Sequence, residues 1–181
     1  MHANARVPLL YGSLVARNAP VIILLMGTAG SGKTTIGELL AARQGWEFSD
    51  GDSFHSAANI EKMSQGIPLT DADRFPWLES IRDAISGWLA QHKNVVLACS
   101  ALKQSYRERL LVSTEVKLVY LRGSFELLRE RLHARKGHYA TEQILTSQFA
   151  DLEEPSDAFV VEVNQSPEQI VAQIRAHFAL L

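Results

Sequence analysis

One eight-residue string constrains the fold of this chain more than any other: Gly27-Thr28-Ala29-Gly30-Ser31-Gly32-Lys33-Thr34. It satisfies G-x-x-x-x-G-K-[ST] at every fixed position. A continuous apolar run, residues 21–26, precedes it, and a helix-forming stretch, residues 33–44, follows and stops near Gly45. Such a run reads as a strand buried on both faces. Strand, glycine loop and helix in this order let backbone N–H groups converge on phosphate oxygens, with no bulky side chains in the way. The positive end of the new helix points at the same anion. Lys33 supplies a charge for terminal phosphates and Thr34 a hydroxyl for Mg²⁺. A glycine turn that binds nothing is the weaker reading, because motif and flanks both match. The expected nucleotide cradle is Gly27, Thr28, Ala29, Gly30, Ser31, Gly32, Lys33 and Thr34, extended to Thr35.

The rest of the chain alternates in the same way. Strand patterns fall at residues 46–49, 94–99, 117–122 and 158–163. Helical patterns fall at 57–65, 71–91, 103–111, 125–136, 142–151 and 167–179. About five strands between helices imply an α/β fold: a parallel sheet with helices on both faces in three layers. No linker or repeat divides the chain, and 181 residues suit one domain. Residues 21–181 are therefore expected to form that domain, with a helical lid around 125–150. Residues 1–20 carry Arg6 and Arg17 and no acid, and are expected to be a poorly ordered extension rather than a targeting peptide.

Composition narrows the partners. Lys and Arg number 18 against 20 Asp and Glu, a balance that argues against a general nucleic-acid binder. No apolar run approaches the roughly 20 residues that span a bilayer, so no membrane role is expected. The single cysteine, Cys99, excludes an internal disulfide; it suits a reducing compartment and a cytoplasmic location. It reads as a small buried residue, since phosphoryl transfer needs no covalent intermediate. His133 and His138 are five apart, a poor helical metal pair, and no structural zinc is expected. Whether the chain forms a homodimer is left open.

Two further features bear on the site. The strand pattern at 94–99 ends in Cys99-Ser100, where many P-loop proteins place a Mg²⁺-side Asp. Asp50-Gly51-Asp52 follows the short strand at 46–49, and strand carboxyl ends face the ligand crevice of a parallel sheet. Alternation along an extended segment would put both acids on one side. One carboxylate can serve the Mg²⁺ shell and the other an acceptor hydroxyl. Alone, such a string is more often a solvated turn; one crossover after a phosphate loop, the odds reverse.

These strings together resemble gluconate kinase, a small P-loop kinase family related in fold to the shikimate and nucleoside-monophosphate kinases. The resemblance runs from about Val21 to the end of the chain. It rests on the phosphate loop, Asp50-Gly51-Asp52-Ser53-Phe54-His55, Asp73-Arg74 with Pro76-Trp77-Leu78, and Cys99-Ser100-Ala101-Leu102-Lys103. It also rests on Arg135-Lys136-Gly137-His138 and Ser147-Gln148-Phe149. Two positions depart from the pattern: Ser56 stands where a proline commonly follows the histidine, and Ala72 interrupts a run of acids.

The resemblance implies transfer of the ATP γ-phosphoryl group to the 6-hydroxyl of D-gluconate. Asp52 would orient or deprotonate that hydroxyl, and Asp50 with Thr34 would serve Mg²⁺. His55 would meet substrate hydroxyls. Gluconate is an acid, so its site needs a cation: Arg74 leads, because its guanidinium can grip a carboxylate through two hydrogen bonds, and Lys103 is second. Trp77 is read equally as pocket wall or core. Arg131 and Arg135 share a helical face and would close over the phosphates as part of the lid, against the alternative of a solvated basic face paired with Glu126 and Glu130. Two other readings stay open: a kinase for another small acceptor, such as shikimate or a nucleotide, and a nucleotide-dependent switch without transfer activity. The switch lacks support, since no γ-phosphate-sensing motif is evident.

Overall fold

The computed structural model describes residues 19–134 and 142–180. Arg135 to His138 and residues 1–18 of the expected extension lie outside them. In chain order the elements are β1 (Ile22–Met26), α1 (Lys33–Gln44), β2 (Glu47–Asp50), a 3₁₀ turn (Gly51–Phe54), α2 (Ala57–Ser64), α3 (Asp71–Ala90) and β3 (Val95–Ala98). Then come α4 (Gln104–Leu110), β4 (Val116–Arg122), α5 (Phe125–Ala134), α6 (Glu142–Asp151), β5 (Phe159–Glu162) and α7 (Pro167–His177).

The five strands form one parallel sheet in the order β2-β3-β1-β4-β5. β1 lies at the centre, and all five of its side chains are fully buried. Alternation divides them. Ile22, Leu24 and Met26 join α3 and α4 through Trp77, Leu78, Ile81, Ile85 and Leu110. Ile23 and Leu25 join α1, α5 and α7 through Ile36, Leu40, Leu128, Ile170 and Ile174. Burying each such side chain contributes about 1.5–3 kcal/mol, so the doubly covered strand fixes the sheet's centre.

α3 begins with a reciprocal capping box: Thr70 Oγ1 accepts from the Asp73 amide and Asp73 accepts from the Thr70 amide. The 20-residue helix carries Pro76 in its second turn and stays continuous. The two departures from the family pattern have local uses. Ser56 caps α2, its Oγ accepting from the Asn59 amide at 3.2 Å. Ala72 is exposed, while the acids on either side of it are both engaged.

Gly51 joins β2 to the site. A Cβ there would lie 2.8 Å from the Ala98 carbonyl oxygen and 3.2 Å from Cys99 Cβ. Gly51→Ala should therefore destabilise the fold by about 1–3 kcal/mol. For a chain of this size, each kcal/mol lowers Tm by about 2–4 °C. Gly87 in α3 faces open space. Gly87→Ala should instead stabilise, by about 0.5–1 kcal/mol. Thermal melts of the two variants should move in opposite directions.

Candidate active site

The loop after β1 and the start of α1 form one wall of a cavity of about 240 Å³. Gly30 and Gly32 have φ of 80° and 89°, in the left-handed region that suits glycine. α1 starts with no side-chain cap and no acid in its first turn, so its N-terminal amides are left for a ligand. Ser31 Oγ is buried and unpartnered. A fold that leaves a buried hydroxyl and a helix terminus unsatisfied at one spot fits an anion there. Lys33 does not simply face solvent: its Nζ donates to the Gly27 and Thr28 carbonyls at 2.8 and 3.1 Å.

Across the cavity stand Asp50 and Asp52, with Cys99 and Ser100 between them and the loop. The two acids do share a site, but not through strand alternation. β2 ends at Asp50, whose Oδ1 accepts from the Asp52 amide at 3.0 Å and turns the chain into the 3₁₀ segment. Asp52 lines the cleft but its side chain stays 79% exposed, so the surrounding protein desolvates it only in part. That desolvation, reinforced by Asp50, raises its carboxyl above the ordinary 3.8 against the opposing pull of Lys33 and His55. Burial pushes the Cys99 thiol up to about 12, which removes it as a nucleophile at neutral pH.

His55 lies behind Asp52, its Nε2 4.0 Å from Asp52 Oδ1. Its ring stacks on Trp77 at 4.4 Å and 12°. Burial lowers its pKa further from 6.5, so at neutral pH it is an uncharged hydrogen-bonding group. Asn59 Nδ2 lies 3.4 Å from its Nδ1 and donates to the Asp73 carbonyl. Of its two readings, Trp77 takes the core one and is not among the residues that line the cavity. It is 4% exposed in the core, and its Nε1 donates to the Gly51 carbonyl at 2.7 Å, fastening α3 to the acidic turn.

Arg74 and Lys103, read from sequence as alternatives, belong to one cluster. Arg74 Nη1 donates to Tyr106 Oη at 3.1 Å and to Asp151 at 3.4 Å. Lys103 Nζ donates to Asp71 Oδ1 at 3.0 Å, and Tyr106 donates to the same oxygen. The loop that carries Lys103 is braced by buried Arg107, which donates to the Ala101 and Leu102 carbonyls.

The lid residues fall differently. Arg131 Nη2 donates to the Val163 carbonyl at 2.5 Å and does not line the cavity. α5 and α6 are tied by Arg129 and His133, both facing Glu142. Gln148 on α6 is the contact that sequence reading passed over: its Oε1 accepts from the Ala29 amide at 2.6 Å, inside the phosphate loop. Its signal was the Ser147-Gln148-Phe149 string, which carried no role by itself.

A phosphate loop and an acid pair facing one cleft at the strand carboxyl ends define a P-loop kinase acting on a small molecule. The shikimate kinase family model matches residues 29–179. The chain is 42% identical to a probable gluconokinase of Mus musculus, over 86% of this chain and 96% of the relative. It is 41% identical to the thermoresistant gluconokinase of Escherichia coli, over 83% and 89%. The crystal structure of a gluconokinase from Sinorhizobium meliloti superposes with a TM-score of 0.80 at 42% identity, covering 89% of this chain and 93% of that one. The chain belongs to the gluconokinase family, within the wider shikimate kinase group.

The raised pKa of Asp52 has a stability consequence. Its ionised form is less favourable in the fold than in the unfolded chain. That cost is present above the unfolded value and fades as pH falls through the raised folded value. Asp52→Asn has no charge to desolvate. At neutral pH it should melt above the wild type, with the gap closing toward acid pH. A variant that melts lower at neutral pH would contradict this.

Proposed function

We propose that the protein transfers the γ-phosphoryl group of ATP to the 6-hydroxyl of D-gluconate, giving 6-phospho-D-gluconate. The observation that carries this reading is the shared cleft. A phosphate cradle and Asp52 line one cavity, and Arg74 and Lys103 lie beyond His55 on the acceptor side. Phosphoryl transfer depends mainly on positioning and charge stabilisation, which this arrangement supplies.

The amides of the loop and of the start of α1 bind phosphate oxygens, with Thr28 to Thr35 around them. Lys33 exchanges its loop carbonyls for phosphates. Asp52 holds the acceptor hydroxyl and takes its proton; the raised pKa makes it a better base than an ordinary aspartate. His55, uncharged, hydrogen-bonds the substrate chain. Arg74 and Lys103 meet the carboxylate. Arg131 and Arg135 close over the phosphates once Arg131 leaves Val163.

Mg²⁺ fits the donors present. Thr34, Asp50 and Asp52 line the same cavity and offer hard oxygens. Among the described residues no group of three or more His, Cys, Asp or Glu forms a metal cage. That suits an ion which keeps waters and takes substrate phosphates as ligands. Thr34 and Asp50 would hold it. When bound, it neutralises charge on the phosphates.

Assays of gluconate beside other aldonic acids, shikimate and the uncharged alditol test the reading. Gluconate should be phosphorylated best and the alditol poorly. Lys33→Ala should cut turnover by about two to three powers of ten with the melting temperature little changed. Arg74→Ala should lose most of the preference for the acid over the alditol, because a charge-assisted contact is worth roughly 1.5–3 kcal/mol. Should shikimate be the preferred acceptor, the gluconate assignment falls while the kinase assignment stands.

A further inference from the structure

The last residue of α6 enters the acceptor side from a different element than the cations it meets. Asp151 Oδ2 lies 3.4 Å from Arg74 Nη1, and its Oδ1 lies 3.9 Å from Lys103 Nζ. Asp71 is the second acid there, 3.0 Å from Lys103 Nζ and 3.9 Å from Arg74 Nη1. Two cations thus face two carboxylates, and the cluster has no net formal charge. A neutral cluster attracts a substrate anion weakly unless one of its own carboxylates withdraws.

The two acids are not equally held. Asp71 sits on α3 beside Arg74 and also accepts the Tyr106 hydroxyl. Its contact with Lys103 is the short one. Asp151 has the closer contact to Arg74, at 3.4 Å, but the longer one to Lys103, at 3.9 Å, and it belongs to a different element, the helix that forms one arm of the α5–α6 pair.

We propose that Asp151 is a built-in stand-in for the acceptor's carboxylate. It holds Arg74 and Lys103 in the empty enzyme and gives way to the substrate's carboxylate at the same two cations. The exchange is one anion for another, so the cluster stays neutral throughout. Asp151 is a positioning residue: it sets which acceptors gain by entering. An uncharged polyol has no group to put in its place and leaves the original pair intact.

The exchange reaches the other half of the cleft through α6. Gln148 lies one helical turn before Asp151, on the same side, with its Oε1 on the Ala29 amide. The helix is thus pinned at both ends of the cleft, by an amide to the phosphate loop and by an acid to the acceptor cations. Withdrawal of Asp151 releases one of those two pins.

This inference rests on the reading that Arg74 meets the substrate acid, and the experiment separates the two. Gluconate is titrated calorimetrically, without nucleotide, into wild type, Asp151→Asn, Asp151→Ala and Arg74→Ala, and KM and kcat are measured for each. Removing the internal competitor should tighten gluconate binding roughly two- to fivefold and lower its KM by a similar factor, the scale of one part-exposed ion pair. Alditol turnover should not improve. If Asp151 merely props Arg74 in place, both Asp151 variants will bind gluconate more weakly, and the proposal is overturned. Unchanged affinity overturns it as well. Weaker binding by Arg74→Ala with no gain in the Asp151 variants sinks this inference and leaves the Arg74 reading intact. Full affinity in Arg74→Ala removes both.

Discussion

The site depends on one packing constraint: β1 must be buried on both faces. Its five side chains divide between two cores, which places it at the centre of the sheet with β3 on one side and β4 on the other. Parallel pairing then brings the carboxyl ends of β1, β3 and β2 to the same rim. The phosphate loop leaves β1 there, and Asp50 ends β2 two strands away. The strand between them ends in small residues, Ala98, Cys99 and Ser100, which form the cavity floor. A carboxylate at Cys99 would lie where burial already pushes a thiol to about 12. The acid is supplied instead from β2, whose end packs so closely on Ala98 that only glycine fits at Gly51.

Much of this was legible in the sequence, because it follows from local rules. The phosphate loop is contiguous, and the alternation of apolar runs with helical stretches gave five strands and their helices. Strand ends were less secure. β2 was expected at 46–49 and runs Glu47–Asp50, because Asp50 still pairs with Ala98 before its side chain turns the chain. The two acids line one cavity, but a turn brings them together and not alternation along a strand. Arg74 and Lys103 stand as first and second candidates in the sequence because their motifs lie far apart in the chain, one in α3 and one in the loop before α4. Only the packing of α3 against α4 brings both to Tyr106. Gln148 and Asp151 were invisible for the same cause: neither residue type signals a role until α6 is laid against the cleft.

α3 shows how one helix can organise a site it barely lines. Its start is fixed by the Thr70–Asp73 box, and Asp73 also takes Lys62 of α2 at 2.7 Å. That pairing and the Thr70 contacts hold the Asp73 carboxyl low, at about 2. One turn on, Trp77 ties the helix to Gly51 and backs His55. Arg74 lies between these anchors, so its guanidinium starts from a backbone fixed on both sides. Little chain entropy is left to lose there when a ligand arrives.

The two halves of the cleft differ in how their polar groups are satisfied before any ligand binds. On the acceptor side Arg74, Lys103, Tyr106, Asp71 and Asp151 complete one another. A ligand there must replace bonds already made, so its net gain is small and turns on how well it matches what it displaces. The phosphate side is only partly self-satisfied. Lys33 and the Ala29 amide have protein partners, while Ser31 Oγ and the uncapped start of α1 retain bonding capacity. Binding there adds bonds as well as exchanging them, which favours affinity. Selectivity among acceptors is thus concentrated where the protein already provides a rival for the ligand, and tight holding where it does not.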